Sequence, residues 1–332
     1  MLSRKLFGTL CLAAAACVMW AGVASATGNI DLVPVGNAGN AADATGHGSV
    51  GYAYNIGKYE VTAGQYTAFL NAVGGVDTNA LYNRSMSDTS WGNGISRNGG
   101  GNLANPYSYT VDTAFVNRPV NYVSFGDSCR FADWLQNNQK SGAQDASTTE
   151  SGAYTLTAGG ISGNTITRNS GWQWAVTSED EWYKAAYYNA ANSSYYLYPT
   201  SSNTAPGNNM LDPLGNNANI HSTPHLIDSG KYTTVAGEFQ NSASPYHTYD
   251  QGGNVWEWNE AVIFGSYRGL RGGSFGYYVD ILQSSCRSYF NVPSNEYGDV
   301  GFRVSQVPEP ATLGLLALGL IGMLVRRRGA TR

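Results

Sequence analysis

The chain has 332 residues, enough for one large domain or two ordinary ones, so burying a core is no obstacle. Only 13% of its residues are charged, the net charge is −4, and Gly (41) and Tyr (23) are abundant. That balance excludes the basic field a nucleic-acid partner needs, and points to a turn-rich exported protein rather than a helical cytosolic enzyme.

At the N-terminus, Arg4 and Lys5 precede an apolar run over residues 6–23, closed by Ala24-Ser25-Ala26. A positive start, an apolar middle and an A-x-A end read as a secretory signal peptide over residues 1–26, cut after Ala26 with Ala24 and Ala26 as the small residues. Cys11 and Cys17 fall in this leader, so the mature part keeps only Cys129 and Cys286, too few for a disulfide framework. Residues 27–47 are rich in Gly, Ala and Asn with little periodicity, and read as a linker or an opening edge strand.

Residues 52–61 alternate as a strand. Thr62 then caps a helix over residues 63–73, in which Tyr66, Phe69, Leu70 and Val73 share one face. Residues 91–106 read as a long Gly/Asn loop. Ser124 caps a second helix that turns Phe131, Trp134 and Leu135 inward. Residues 153–167 carry apolar alternation around Gly159-Gly160, the pattern of a β-hairpin. Ser178 with Glu181 forms a capping box for a third helix, with Trp182, Ala185 and Ala186 on its buried face. Glu179 and Glu181 sit in its first turn, where carboxylates favour the helix dipole.

The most informative stretch is Asp250-Gln251-Gly252-Gly253-Asn254-Val255-Trp256-Glu257-Trp258. Glycines allow a tight turn, and the strand that follows sets a carboxylate between two indoles. A buried carboxylate must be ion-paired, hydrogen-bonded or metal-bound. Arg268-Gly269-Leu270-Arg271-Gly272-Gly273-Ser274-Phe275 and Gly301-Phe302-Arg303-Val304 come next. A core arginine such as Arg271 or Arg287 is one candidate partner for Glu257. The chain closes with Pro308-Glu309-Pro310, an uncharged apolar run over residues 311–325, and Arg326-Arg327-Arg328.

KYEVTAGQYTAFL, RPV followed by VSF, WAVTSEDEW, GNVWEW, RGGSF and GFRV, in this order, resemble the formylglycine-generating-enzyme (sulfatase-modifying factor) domain. The resemblance implies a C-type-lectin-like α+β fold: a single loop-rich domain over residues 48–305, with short strands and a few amphipathic helices. It also implies calcium, held by Asp250, Gly253, Val255 and Glu257, and at a second site by Asn219, Ile220 and Asp228. Such an oxygen-rich set suits that cation. The family's two copper thiolates align with Tyr277 and Leu282, which cannot supply them, so neither copper nor the parent oxidation is expected. Both cysteine-bearing regions contribute to bridges in the family, which implies a Cys129–Cys286 disulfide. A second enzymatic branch, the ergothioneine-type sulfoxide synthases, binds iron through a His-rich helical domain. The four histidines here are His47, His221, His225 and His247, and Thr223-Pro224 breaks any helix joining His221 to His225.

Residues 306–332 resemble a PEP-CTERM sorting signal, made of Pro308, Glu309, Pro310, a short hydrophobic helix and the Arg326–Arg327–Arg328 cluster. The resemblance implies a Gram-negative bacterium, an exosortase partner, transient inner-membrane anchoring and release to the outer envelope or matrix, in a setting that commonly includes exopolysaccharide. Two functions follow for the domain. One is a surface module that binds saccharide, peptide or matrix polymer through tyrosine-rich loops such as Tyr277-Tyr278 and Tyr195-Tyr196-Leu197-Tyr198. The other is a divergent oxidoreductase of the formylglycine-generating and nonheme-iron superfamily.

Overall fold

The structure, a computed structural model, describes residues 28–224 and 226–307, with Phe290 described by its backbone only. The expected leader, His225 and the tail from Pro308 onward lie outside the described residues.

In chain order the elements are β1 (Leu32–Val35), β2 (Tyr54–Gly57), α1 (Ala63–Val73), β3 (Ile95–Asn98), β4 (Ser108–Val111), α2 (Phe125–Gln136) and α3 (Ala158–Ser162). They continue with β5 (Trp174–Val176), α4 (Glu179–Tyr187), β6 (Tyr188–Asn189), β7 (Ser194–Tyr195), β8 (Trp256–Ile263), β9 (Tyr267–Arg271), β10 (Ser288–Asn291), β11 (Val300–Phe302) and β12 (Val304–Gln306). One sheet has the order β1-β2-β12-β5 and the other β10-β9-β8-β11. The first is antiparallel throughout, whereas β11 runs parallel to β8 in the second. β11 and β12 are consecutive apart from Arg303, so the GFRV segment leaves one sheet and enters the other at that residue. This is the α+β, loop-rich architecture with short strands that the sequence predicts.

The three long helices start at the predicted caps. Thr62 with Gln65, Ser124 with Asp127 and Ser178 with Glu181 each form a reciprocal capping box. Each satisfies amides that would otherwise lack partners, worth about 1 kcal/mol per cap. The apolar face of α1 meets that of α2: Phe69 lies 5.4 Å from Phe131 and 5.3 Å from Trp134, ring centre to ring centre. Phe131 in turn meets Phe302 of β11 at 5.3 Å. Helices and second sheet therefore share one core, which also takes in Trp258 and Leu270.

Two local readings need correction. Residues 27–47 take the second of their two readings, an opening edge strand and not a linker: β1 pairs with β2 from Leu32 opposite Gly57 to Val35 opposite Tyr54. Lys184 Nζ also donates to Asn37 O at 2.9 Å, tying the following loop to α4. The expected hairpin at residues 153–167 is closed by a Tyr154–Arg168 bridge, but its tip is the short helix α3. Thr157 Oγ1 accepts from Gly160 N at 2.9 Å, and that side-chain cap favours a helical turn over a tight one.

Candidate functional site

Several of this protein's charged side chains, among the described residues, are buried. Arg268, Arg271 and Arg303 are among its largest fully buried side chains, and Glu257 and Glu181 are fully buried as well. Ionic groups in such places persist only when paired and hydrogen-bonded. Arg303, at the crossing between sheets, donates through Nε to Glu257 Oε2 at 2.9 Å and through Nη2 to Glu257 Oε1 at 2.8 Å. Its remaining bonds go to Gly57 O on β2 and to Tyr249 O. Trp182 Nε1 on α4 donates to Glu257 Oε2 at 2.7 Å. Glu257 thus joins both sheets and a helix.

The partner of Glu257 is Arg303, not Arg271 or Arg287. Arg271 does face Glu257 across the β8–β9 ladder. Its guanidinium nevertheless turns to Glu179, with Nε and Nη2 at 2.8 and 2.7 Å from Oε1, and Arg287 Nη2 lies 2.9 Å from Glu179 Oε2. Glu181 forms a third centre. Arg168 meets it end-on, through Nη1 and Nη2 at 2.8 and 2.9 Å, donates through Nε to Glu260 at 2.8 Å, and stacks on Trp172. Burial works against the Glu181 charge, but Arg168 outweighs burial and holds its carboxyl below the ordinary range. Glu179 and Glu181 are structural acids with arginine partners.

The residues expected to hold calcium divide into two groups. Asp250, Gly253, Asn219 and Glu257 converge, and two residues absent from the expected set join them. Asn254 Nδ2 donates to Glu60 Oε1 at 3.2 Å, and Asn254 Oδ1 accepts from Asn219 Nδ2 at 3.2 Å and from Thr234 N at 2.9 Å. Gly253 bridges to Asn219 and donates its N–H to Gly272 O at 2.9 Å. Val255 is buried beside them. Asp228 goes elsewhere: it pairs with Arg118 Nη2 at 2.8 Å and accepts from Val235 N. Ile220 packs with Tyr198, Ala218 and Leu282.

These donors do not fit calcium in this arrangement, because Glu257 is taken by Arg303 and Trp182 while Asp228 is taken by Arg118. Among the described residues, no group of three or more His, Cys, Asp or Glu side chains is placed to hold a metal ion. The centre instead carries surplus acid. Burial first, and then the charge of Asp250, pushes Glu60 well above the usual carboxylate range, and burial raises Asp250 to about 6. Glu60 Oε2 has no hydrogen-bond partner and stands 4.0 Å from Arg303 Nη2. The sequence signal for Glu60 is that it is the only carboxylate in the run over residues 52–61.

Of the two residues that the sequence resemblance sets against thiolates, Tyr277 is 42% exposed and Leu282 is fully buried. Tyr277 meets Trp256 edge-on at 5.3 Å, and its carbonyl accepts from His221 N. Nearby, Trp91 stacks on Tyr232 with centroids 4.0 Å apart, and both contact Phe275. Tyr278, 64% exposed, packs against the His221 ring. Trp91 is missed by a motif-based reading because it sits in the Gly/Asn loop, far from RGGSF in sequence. The other tyrosine run is structural: Tyr195 packs on Tyr183 and Tyr188 and donates to the carbonyls of Ala41 and Gly48, and Tyr198 is buried.

The expected disulfide is absent. Cys129 and Cys286 are both free. Cys129 is buried within the shared core, whereas Cys286 lies on a partly exposed segment where its thiol faces Asp280 O at 3.2 Å. The α2 register turns Cys129 into the core beneath the second sheet, away from that segment.

The family model for the sulfatase-modifying factor enzyme 1-like domain matches residues 25–307, and a PEP-CTERM protein-sorting motif matches residues 306–328. CarF is 18% identical, with 85% of this chain and 99% of its own covered and a TM-score of 0.52. Variable protein 1 of Treponema denticola is 20% identical, with 83% and 95% covered and a TM-score of 0.50. Both likenesses are in fold. No functionally curated protein matches the chain.

Proposed function

Since the chain belongs to the sulfatase-modifying factor enzyme 1-like family and ends in a PEP-CTERM motif, we propose that it is an envelope protein whose domain binds a saccharide, peptide or matrix polymer rather than generating formylglycine. The sorting motif implies exosortase processing and export in a Gram-negative bacterium. In this reading the Arg326–Arg328 cluster holds the tail cytoplasmic while the domain lies outside. Cleavage near Pro308–Pro310 then ends a transient inner-membrane stage and releases the domain to the outer envelope or matrix. Among the described residues no helix is long and apolar enough to cross a membrane; in this reading the tail supplies the anchor.

The observation that carries the binding reading is the surface around Tyr277. An exposed phenol, at a position that the sequence resemblance sets against a thiolate, is backed by Trp256, beside Trp91 stacked on Tyr232. Aromatic rings with polar tips give large contact area at little conformational cost, and a phenol offers none of the soft ligation of a thiolate. The test is a glycan, peptide and polymer screen on the mature domain, with metal analysis and a sulfatase-peptide turnover assay in parallel. Binding should fall in Trp91→Ala and Tyr277→Ala, with unchanged melting and no cysteine oxidation. Stoichiometric copper or iron, or turnover of the peptide, would favour the oxidoreductase reading instead.

A further inference from the structure

The tail leaves the folded domain at a fixed place. β12 ends at Gln306, set between Asn55 of β2 and Trp174 of β5, and Val307 N donates to Gln173 O at 2.9 Å. In sequence only Pro308, Glu309 and Pro310 separate Val307 from the uncharged apolar run over residues 311–325. Four residue steps, fully extended, reach at most about 14 Å. A bilayer's headgroup layer takes up about 5–8 Å of that reach. A membrane that holds the run is thus brought to about a side chain's length from this end of the sheet.

The surface there has the composition of a membrane interface. Three segments border it, residues 51–55, 136–140 and 169–174. Gln136 Oε1 accepts from Gln173 N at 2.7 Å and from Trp174 N at 3.0 Å, which sets the end of α2 beside the exit. Tyr52 meets Trp172 edge-on at 6.2 Å, and Asn55 Nδ2 donates to Gln306 Oε1 at 3.0 Å. Tyr52 is 42% exposed, and Trp172 and Trp174 are partly exposed. Although the chain is net negative, these segments hold no acid and one cation, the exposed Lys140. Arg168, stacked on Trp172, is already neutralised by Glu181 and Glu260. Trp and Tyr concentrate at headgroup level, where ring and polar edge are both satisfied, and Lys is drawn to anionic lipid.

The aromatic face around Tyr277 lies at the other end of the same strand run. Val300 stands opposite Trp256, which backs Tyr277, whereas Gln306 stands opposite Trp174. The six residue steps between them span up to about 20 Å.

We propose that Tyr52, Trp172, Trp174 and Lys140 form a docking face for an anionic lipid surface, on which the domain rests while its tail is in place. The aromatic face around Tyr277 is then displayed away from the membrane before release. This rests on the inner-membrane stage proposed above, and the test separates the two. The mature chain with its tail carries Cys286→Ser, which leaves the buried Cys129 as its other thiol. A polarity-sensitive fluorophore is attached at Ser170→Cys or at Tyr278→Cys, both exposed positions. The chain is reconstituted in vesicles of phosphatidylethanolamine and phosphatidylglycerol. The label at 170 shifts to the blue and is quenched by lipid nitroxides at headgroup depth, while the label at 278 does neither. Trp172→Ala and Lys140→Glu each lower the quenching at 170, and Lys140→Glu does so without a change in melting temperature. A chain that does not float with the vesicles overturns the anchoring reading and the docking face together. Flotation with the 170 label unquenched, or with both labels quenched alike, overturns the docking face alone. Shielding of 170 in native inner membranes but not in vesicles overturns the lipid assignment in favour of a membrane protein.

Discussion

Glu257 and Arg303 meet side-on, with nitrogen–oxygen distances of 2.9 and 2.8 Å, and both side chains are fully buried. The pair sits where one strand run passes from the second sheet to the first. It therefore fixes the relation between the two sheets, as well as satisfying two charges. Removing one partner leaves the other buried and uncompensated. Arg303→Met should cost about 3–5 kcal/mol in urea unfolding. Glu257→Gln combined with Arg303→Met should cost clearly less than the two single losses added together, as a double-mutant cycle reads coupling. Additive losses would show that the pair contributes no mutual stabilisation.

The same commitment predicts the response to chelators. A ligand bound only by the folded state raises its melting temperature by mass action. With Glu257 held by Arg303 and Asp228 by Arg118, the melt should be unchanged in EGTA. A drop that calcium restores would mean that these carboxylates exchange arginine for the ion.

Asp133 gives a pH prediction. It is fully buried, its Oδ1 accepts from Tyr154 N at 2.8 Å, and its Oδ2 has no partner. Burial raises its carboxyl to about 8. A folded-state value above the unfolded one means that the native state holds the proton more tightly. The associated stability is complete below about pH 4 and is lost as pH rises through about 8. Glu60, Asp250 and Glu296 shift in the same direction. Stability should thus decline from pH 5 to pH 8. Asp133→Asn, which keeps a neutral group at the site, should flatten that decline in denaturant titrations across the window. An identical slope would place the proton elsewhere.

The two mature cysteines should behave differently toward a thiol reagent. Cys286, on a partly exposed segment, reacts in the native protein, while Cys129 reacts only after unfolding, because burial pushes its thiol well up and hides it. Two thiols should be counted in the denatured, unreduced protein. A count of zero would restore the bridge.

Two glycines with positive φ should differ sharply. An alanine Cβ at Gly253 (φ 80°) would lie 2.2 Å from Asn219 O, in a bridge that cannot widen without breaking the centre around Glu257. At Gly265 (φ 76°) nothing lies within 4 Å. Gly265→Ala should therefore cost only the conformational strain, about 1 kcal/mol. Gly253→Ala should cost several times more, read as the shift in urea midpoint. Equal costs would mean that the close approach at Gly253 relaxes freely.

Some of this was legible in the linear chain. Thr62, Ser124 and Ser178 announce three helix starts because a capping box needs only two residues three apart, and its hydrogen bonds close within one turn. The sorting tail is a linear signal, read by composition and order. The spacing of GNVWEW, RGGSF and GFRV identifies the fold for the same reason. Even the α1 and α2 faces follow from period alone, since Phe69 and Phe131 meet as their helices' apolar stripes require.

The tertiary structure decided which charges meet. Arg271, Arg287 and Arg303 look alike as sequence, and the ladder even sets Arg271 opposite Glu257. Arg303 takes the carboxylate because β11 runs parallel to β8, with Gly301 opposite Glu257, and the chain changes sheets two residues later. The same long-range register brings Glu60 and Asn254 together and stacks Trp91 on Tyr232. A helix cap depends on neighbours in the chain, whereas an ion pair in a low-dielectric interior depends on distances of a few ångströms between segments far apart in it. Those distances are fixed only when the sheets close on each other.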